Sequence, residues 1–265
     1  MKINMINISN ITKNYKQGGL IYGVNIQALK NINLSIDTDN PSILSIVGES
    51  GSGKTTLSKL ILRLTKPDSG TIKILDKNIR DSKYSNRNVF NRLIQPIFQN
   101  PFESFSSKKY VHKYFFNVAN NYSHNDAEAM YKINKYLELV GLDLQYVMNK
   151  MTKEFSGGEL QRISIARALI AEPKFIIADE PVSMIDASLR MNIINLFLKI
   201  KNDLKIFFIY ITHDLSTAYY ISDFVAIMQK GEIIEFGKKN ILDTPKHDYT
   251  KLLLDSVPNI QSKWD

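Results

Sequence analysis

Residues 48–55 read GESGSGKT, and they stand between an apolar run, residues 41–47 (PSILSIV), and residues 55–64 (TTLSKLILRL). The second stretch places Leu57, Leu60, Ile61 and Leu64 on one stripe of a helix. The first is apolar without alternation and bounded by Pro and Gly, which suits a strand buried on both faces. A buried strand, a glycine-rich turn and a helix in that order admit few folds. Glycines let successive backbone N–H groups converge on one point, and the helix starting near Lys54 adds the positive end of its dipole. Such a loop cradles phosphate. Lys54 can reach β- and γ-phosphates, and the Thr55 hydroxyl can ligate Mg²⁺. The segment predicts a nucleoside triphosphate site built from Gly48, Ser50, Gly51, Ser52, Gly53, Lys54, Thr55 and Thr56.

The rest of the chain fits the sheet that such a strand requires. Residues 5–11 and 26–36 alternate apolar and polar positions and predict two edge strands of an antiparallel sheet. Residues 67–70 (PDSG) form a turn ahead of a strand at 71–75. From about residue 100 to 154 strand signals thin out, and Asn125 with Glu128 predicts a cap for a helix running through Met130, Ile133, Leu137 and Val140 to Gly141. Alternation then returns: helix 160–171, strand 174–178, helix 188–204, strand 206–212, helix 215–221, and a hairpin of 224–228 with 232–236 around Gly231. The expected fold is α/β, with a mainly parallel sheet covered by helices and a helical insert.

Two further marks lie at the ends of predicted strands. FIIADE (175–180) is an apolar strand ending in two carboxylates, and ligands of open α/β sheets bind at the carboxyl edge. Asp179 suits Mg²⁺, and Glu180 can polarise an attacking water. His213 ends the strand IFFIYIT in the same manner and can act as a polar sensor of a γ-phosphate.

Composition removes other classes. The 265 residues contain no cysteine, which excludes disulfide scaffolds, thiolate metal sites and cysteine nucleophiles. No run approaches the roughly 18 apolar residues of a membrane-spanning helix, and MKINMINISN lacks the apolar core of a secretory signal. The expectation is a chain that stays where it is made. Lys and Arg exceed Asp and Glu, 34 to 26, for a net charge of +8. They are spread along the chain with no basic run longer than a pair, so nucleic acid is not expected as a partner.

Together with FSGGELQR (155–162), which opens a helix upstream of Asp179 and Glu180, these elements resemble the nucleotide-binding subunits of ABC transporters. The resemblance covers nearly the whole chain. It implies a P-loop NTPase core with an N-terminal antiparallel β-subdomain and an inserted α-helical subdomain. One nucleotide-binding domain would span 1–265, with the core at 1–99 and 160–240, the helical subdomain at 100–159 and a C-terminal extension at 241–265. It further implies that Gln99 senses Mg²⁺ and the attacking water, and that Ser156, Gly157 and Gly158 cap the γ-phosphate of ATP held by an opposing subunit. By the same resemblance Asp186 communicates across the dimer, His213 is the switch histidine, and Tyr15, with Tyr22 as rival, stacks on adenine. ATP and Mg²⁺ are the implied ligands.

The tail PKHDYTKLLL (245–254) and Pro258, with Asn100-Pro101-Phe102 after Gln99, resemble the peptide/nickel importer subgroup. The implied role is that of an ATP-hydrolysing motor working as an ATP-sandwich dimer at the cytoplasmic face of the cell membrane. Its partners would be a second ATP-binding subunit, similar or identical, two transmembrane permease subunits and an extracellular solute-binding protein. The cargo class would be di- or oligopeptides, nickel or oligosaccharides. The alternative is a soluble SGG-type ATPase acting on nucleic acid or ribosomes, but such relatives usually carry a long coiled-coil insertion or two tandem cassettes, and neither stands here. Two positions depart from the pattern: Glu159 replaces the usual Gln of the signature, and Asp248 the usual Pro of the tail.

Overall fold

Isoleucine and leucine alternate with polar residues over 6–8 and 32–36 and make β1 (Asn4–Gln17) and β2 (Val24–Asp37) one-sided there, and the two pair antiparallel. Ile6 and Ile8 point inward, yet so does Ile11; on the facing strand Leu29 is followed inward by Ile32, Leu34 and Ile36. Each strand therefore slips by one residue. The slips fall at Asn10 (φ 53°), where the pairing jumps from Ile8↔Leu34 to Ile11↔Ile32, and at Asn31 (φ 49°), where it jumps from Ile11↔Ile32 to Lys13↔Leu29. Asn tolerates the left-handed backbone better than most residues, and the irregularity keeps both apolar faces on the core side. Residues 4–17, 24–84, 86–106 and 108–256 are described in this computed structural model.

After β2 come β3 (Ile43–Val47), α1 (Lys54–Ile61), β4 (Ser69–Ile74) and the two-residue β5 (Lys77–Asn78). β4 pairs with the free side of β1, Ile8 opposite Ile72, giving the order β2-β1-β4-β5. β1 is thus an inner strand, where the sequence predicts an edge. The alternation at 5–11 carries no trace of residues 69–74, which return to its other side.

Between residues 85 and 86, and again between 206 and 207, the chain divides into two compact units. The middle unit holds α2 (Arg87–Leu93), β6 (Ile94–Ile97), α3 (Val111–Tyr122), α4 (Asp126–Leu139), α5 (Leu144–Met148), α6 (Gly157–Leu169), β7 (Phe175–Asp179) and α7 (Ala187–Leu204). Asn125 caps α4 by accepting the Glu128 N–H at 2.9 Å, and Gly141 leaves its C-terminal end at φ 75°. Both follow the sequence expectation. β6 pairs in parallel with β7 although it contains Pro96. Proline is tolerated in a strand that leaves one side unpaired, and β6 is the last strand of its sheet.

The chain then returns to the first unit with β8 (Phe207–Thr212), α8 (Leu215–Ile221), β9 (Phe224–Gln229), β10 (Glu232–Lys238) and α9 (Asp248–Asp255). β8 and β9 flank β3 in parallel, and β10 closes the hairpin on β9. All five residues of β3 and all six of β8 are buried. Burial on both faces explains why β3 is apolar except at Ser45, whose hydroxyl accepts from Ser222.

Ile46, at the centre of β3, has no exposed surface. Ile46→Ala is expected to lower the unfolding free energy by about 2–5 kcal/mol, read from urea denaturation with an unchanged slope.

Candidate functional site

In the first unit, register places the candidate residues. Val47 lies opposite Thr212 on one side and Ile227 on the other. The next residues, Gly48 and His213, therefore leave neighbouring parallel strands at one carboxyl edge. Gly48 is buried so close to β9 that a side chain there would collide with the Met228 carbonyl oxygen. Gly53, the residue before α1, adopts φ 106° with the Ala28 carbonyl 2.6 Å from where a Cβ would stand. Both glycines are required by geometry, one by contact and the other by contact and backbone conformation.

Between them the loop closes on Lys54. Its ammonium is almost wholly buried and donates to the carbonyls of Gly48 at 2.7 Å and Glu49 at 2.8 Å, with the Ser52 hydroxyl at 3.5 Å. The Ser52 N–H donates to the Glu49 carbonyl at 3.2 Å. Outside support comes from the β9–β10 turn: the Gly231 N–H donates to the Ser52 carbonyl at 3.0 Å, and its carbonyl accepts from Lys30 N–H at 2.7 Å. Ser50, Gly51 and Thr55 are exposed and Thr56 half-buried. A glycine loop wrapped around a cation at a helix start fits a polyphosphate. At the end of β8, Asp214 caps α8 by accepting the N–H groups of Ser216 and Thr217, leaving His213 exposed beside it. Tyr15 lies on β1 opposite Ile26, partly exposed, with the Lys13 ammonium 5.4 Å from its ring centre. Tyr22 lies outside the described residues.

In the middle unit, Ile97 pairs with Ala178, so Gln99 and Glu180 stand two residues beyond matched positions of β6 and β7. The Gln99 amide donates to the Glu180 carboxylate at 3.1 Å. Glu180 adopts φ 46°, an uncommon conformation for a non-glycine residue. The turn after it holds this conformation, since the Ser183 N–H and hydroxyl both donate to the Glu180 carbonyl, at 3.2 and 2.9 Å. Asp179 ends β7 half-buried. Asp186 precedes α7 with its carboxylate exposed and not used as a cap.

α6 begins at Gly157, one turn earlier than the helix predicted from residue 160. A reciprocal cap explains the extra turn. The Ser156 hydroxyl accepts from the Glu159 N–H at 3.3 Å and donates to the Glu159 carboxylate at 2.8 Å, which also accepts the Ser156 N–H at 2.8 Å. The other carboxylate oxygen accepts from the Tyr146 hydroxyl at 2.8 Å, and the Lys150 ammonium lies 3.5 Å from the Tyr146 ring centre. Burial alone would raise the Glu159 pKa. The hydrogen bonds from Ser156 and Tyr146 and the charge of Lys150 outweigh it and hold the carboxyl below its ordinary range. The atypical residue of the signature is thus folded back on the helix start. Ser183 and Tyr146 have no mark in the sequence that points to these contacts; only the turn after Asp179-Glu180 hints at the first.

The family profile described as "ABC transporter" matches residues 29–183. The chain belongs to the ABC transporter family. Relatives extend the likeness of this ABC cassette beyond the matched region. It is 37% identical over 238 residues to the oligopeptide transport ATP-binding protein OppF of Lactococcus lactis subsp. lactis (strain IL1403), covering 89% of this chain and 74% of that protein. It is 38% identical over 232 residues to the dipeptide transport ATP-binding protein DppF of Lactococcus lactis subsp. cremoris (strain MG1363), covering 86% and 74%. Among solved structures, the dimeric post-hydrolysis state of the ATP-binding cassette MJ0796, bound to ADP and Pi, matches with a TM-score of 0.74 at 27% identity. That match covers 89% of this chain and 99% of the other. The fold is that of an ABC ATPase cassette.

The cap on α6 carries a pH signature whose sign follows from the lowered pKa of Glu159. Its carboxylate contributes to stability above the usual carboxylate range, and the contribution disappears as pH falls through the depressed folded value. Glu159→Gln should therefore cost about 0.3–1 kcal/mol at neutral pH. The gap to wild type should close in acid, as read from unfolding curves between neutral pH and pH 3.

Proposed function

We propose that this ABC ATPase drives the import of di- or oligopeptides as the peripheral motor of a membrane transporter. The observation that carries the reading is identity of 37–38% to oligopeptide and dipeptide transport ATP-binding proteins across 86–89% of the chain. Among the described residues no helix is long and apolar enough to cross a membrane, and the proposal puts translocation in two permease subunits. A solute-binding protein delivers the cargo, and a second ATP-binding subunit completes an ATP-sandwich dimer at the cytoplasmic membrane face. Support for the dimer comes from the likeness to MJ0796, solved in dimeric form.

In this reading the loop from Gly48 to Thr56 binds the ATP phosphates. Lys54, now held by two loop carbonyls and a serine hydroxyl, offers its charge to the β- and γ-phosphates. Tyr15 supplies an aromatic face to adenine. The Thr55 hydroxyl and Asp179 carboxylate are hard oxygen donors, the kind Mg²⁺ takes together with phosphate oxygens. When bound, Mg²⁺ neutralises charge on the β- and γ-phosphates. Glu180 accepts the proton of the attacking water, and its hydrogen bond from Gln99 fixes which carboxylate oxygen stays available. His213 touches the γ-phosphate as a sensor. Ser156, Gly157 and Gly158 close over the nucleotide of the opposing subunit, the start of α6 facing phosphate. Asp186 relays that closure across the interface.

Two substitutions separate binding from chemistry. Glu180→Gln keeps an acceptor for Gln99 and should leave ATP affinity intact while turnover falls about 100-fold or more; steady-state ATPase near wild type would remove Glu180 from the base role. Lys54→Ala should abolish measurable ATP binding in equilibrium titration, and unchanged affinity would overturn the phosphate-loop assignment. The import role is tested by reconstitution with its permeases: ATPase should rise with a binding protein loaded with peptide. Stimulation by a nickel- or oligosaccharide-loaded protein alone would replace the cargo class.

A further inference from the structure

The segment after β10 folds back onto the phosphate loop through a run of side-chain bonds. Glu235 on β10 accepts the N–H groups of Lys246 and His247 at 2.8 and 3.4 Å. His247 then accepts the Tyr249 N–H on its Nδ1 at 3.1 Å and so caps α9. The Tyr249 ring is buried in an apolar cluster with Val47, Leu215, Val225, Ile227 and Leu242. Val47 is the strand residue that leads into Gly48. At the far end of the ring, the Tyr249 hydroxyl accepts the Glu49 N–H at 3.2 Å. Glu49 is the second residue of the loop, and its carbonyl already accepts from Lys54 at 2.8 Å and Ser52 at 3.2 Å. Lys54 thus ties the carbonyls of Gly48 and Glu49 within the loop, while the Glu49 N–H between them is held by the C-terminal helix.

We propose that Tyr249 is a positioning residue of the nucleotide site: the C-terminal helix holds the Glu49 peptide and thereby presets the loop for a nucleoside triphosphate. The inference rests on the phosphate-binding reading of residues 48–56. The geometry separates two contributions of one side chain, the ring packing the helix on the core and the hydroxyl reaching the loop. Burial, with the nearby Glu49 carboxylate, raises the phenol pKa above its ordinary value despite the bond from the Glu49 N–H, so the group stays neutral and keeps its proton. His247 acts one step back, aligning the first turn of α9 so that the phenol reaches Glu49.

The test uses the whole chain and ATP itself. Tyr249→Phe keeps the ring and deletes the hydroxyl. The expected result is an ATP dissociation constant raised about 2- to 10-fold, with saturated turnover and thermal midpoint close to wild type. A purely structural tyrosine would move the midpoint and leave affinity alone. His247→Ala should weaken ATP binding in the same direction, and His247→Asn, which restores an acceptor at the cap, should recover it. Wild-type affinity in Tyr249→Phe, or a loss in His247→Ala that Asn does not restore, overturns the inference. Failure of the wild-type chain to bind ATP would instead bring down the phosphate-loop reading itself.

Discussion

Val47 stands opposite Thr212 on one neighbour and Ile227 on the other, and the first unit depends on that register. A shift of one residue along β3 would turn its side chains to the opposite faces and carry Gly48 away from the Met228 carbonyl it fits against. The loop could not then close on Lys54, whose nearly buried ammonium needs the two carbonyls it finds there. Packing of a fully buried strand thus sets the position of a charged group.

The same dependence runs through the middle unit on a smaller scale. Two short strands in parallel align Gln99 with Glu180. The left-handed backbone of Glu180, an expense of the kind that collects at functional sites, is secured by two bonds from Ser183. At α6 the arrangement is reversed. There the residue out of pattern, Glu159, caps its own helix with one carboxylate oxygen and accepts from Tyr146 with the other. A carboxylate at a helix N-terminus is favourable locally, and in this position it draws the Ser156 hydroxyl toward itself.

What could be read from sequence follows from how local each signal is. β3, α1, β7 and β8 were legible because an apolar run bounded by Gly, Pro or carboxylates is a local pattern. The Asn125 cap was legible for the same reason. β6 was not, since Pro96 breaks its strand signal and only the partner β7 makes it a strand. The slips at Asn10 and Asn31 were hidden because each is meaningful only against the facing strand. In the candidate site, Gln99 and Glu180 stood out as separate marks, but their contact depends on register. Tyr146 beside Glu159, and Tyr249 beneath the phosphate loop, are products of tertiary packing with no spacing to announce them.

The order of pairing also has a history in time. Ile43 begins the strand that leads into the phosphate loop, and its N–H is held by the Asp223 carboxylate, 180 residues further along. Both strands that flank β3 lie beyond residue 206. At translation rates of 5–20 residues per second, ILSIV waits about 10–40 s on the ribosome with both edges open. Meanwhile residues 86–206 emerge in full and can assemble as a unit of their own. An apolar strand with two bare edges is what newborn chains aggregate through, so the strand that carries the phosphate loop is made early and sheltered late.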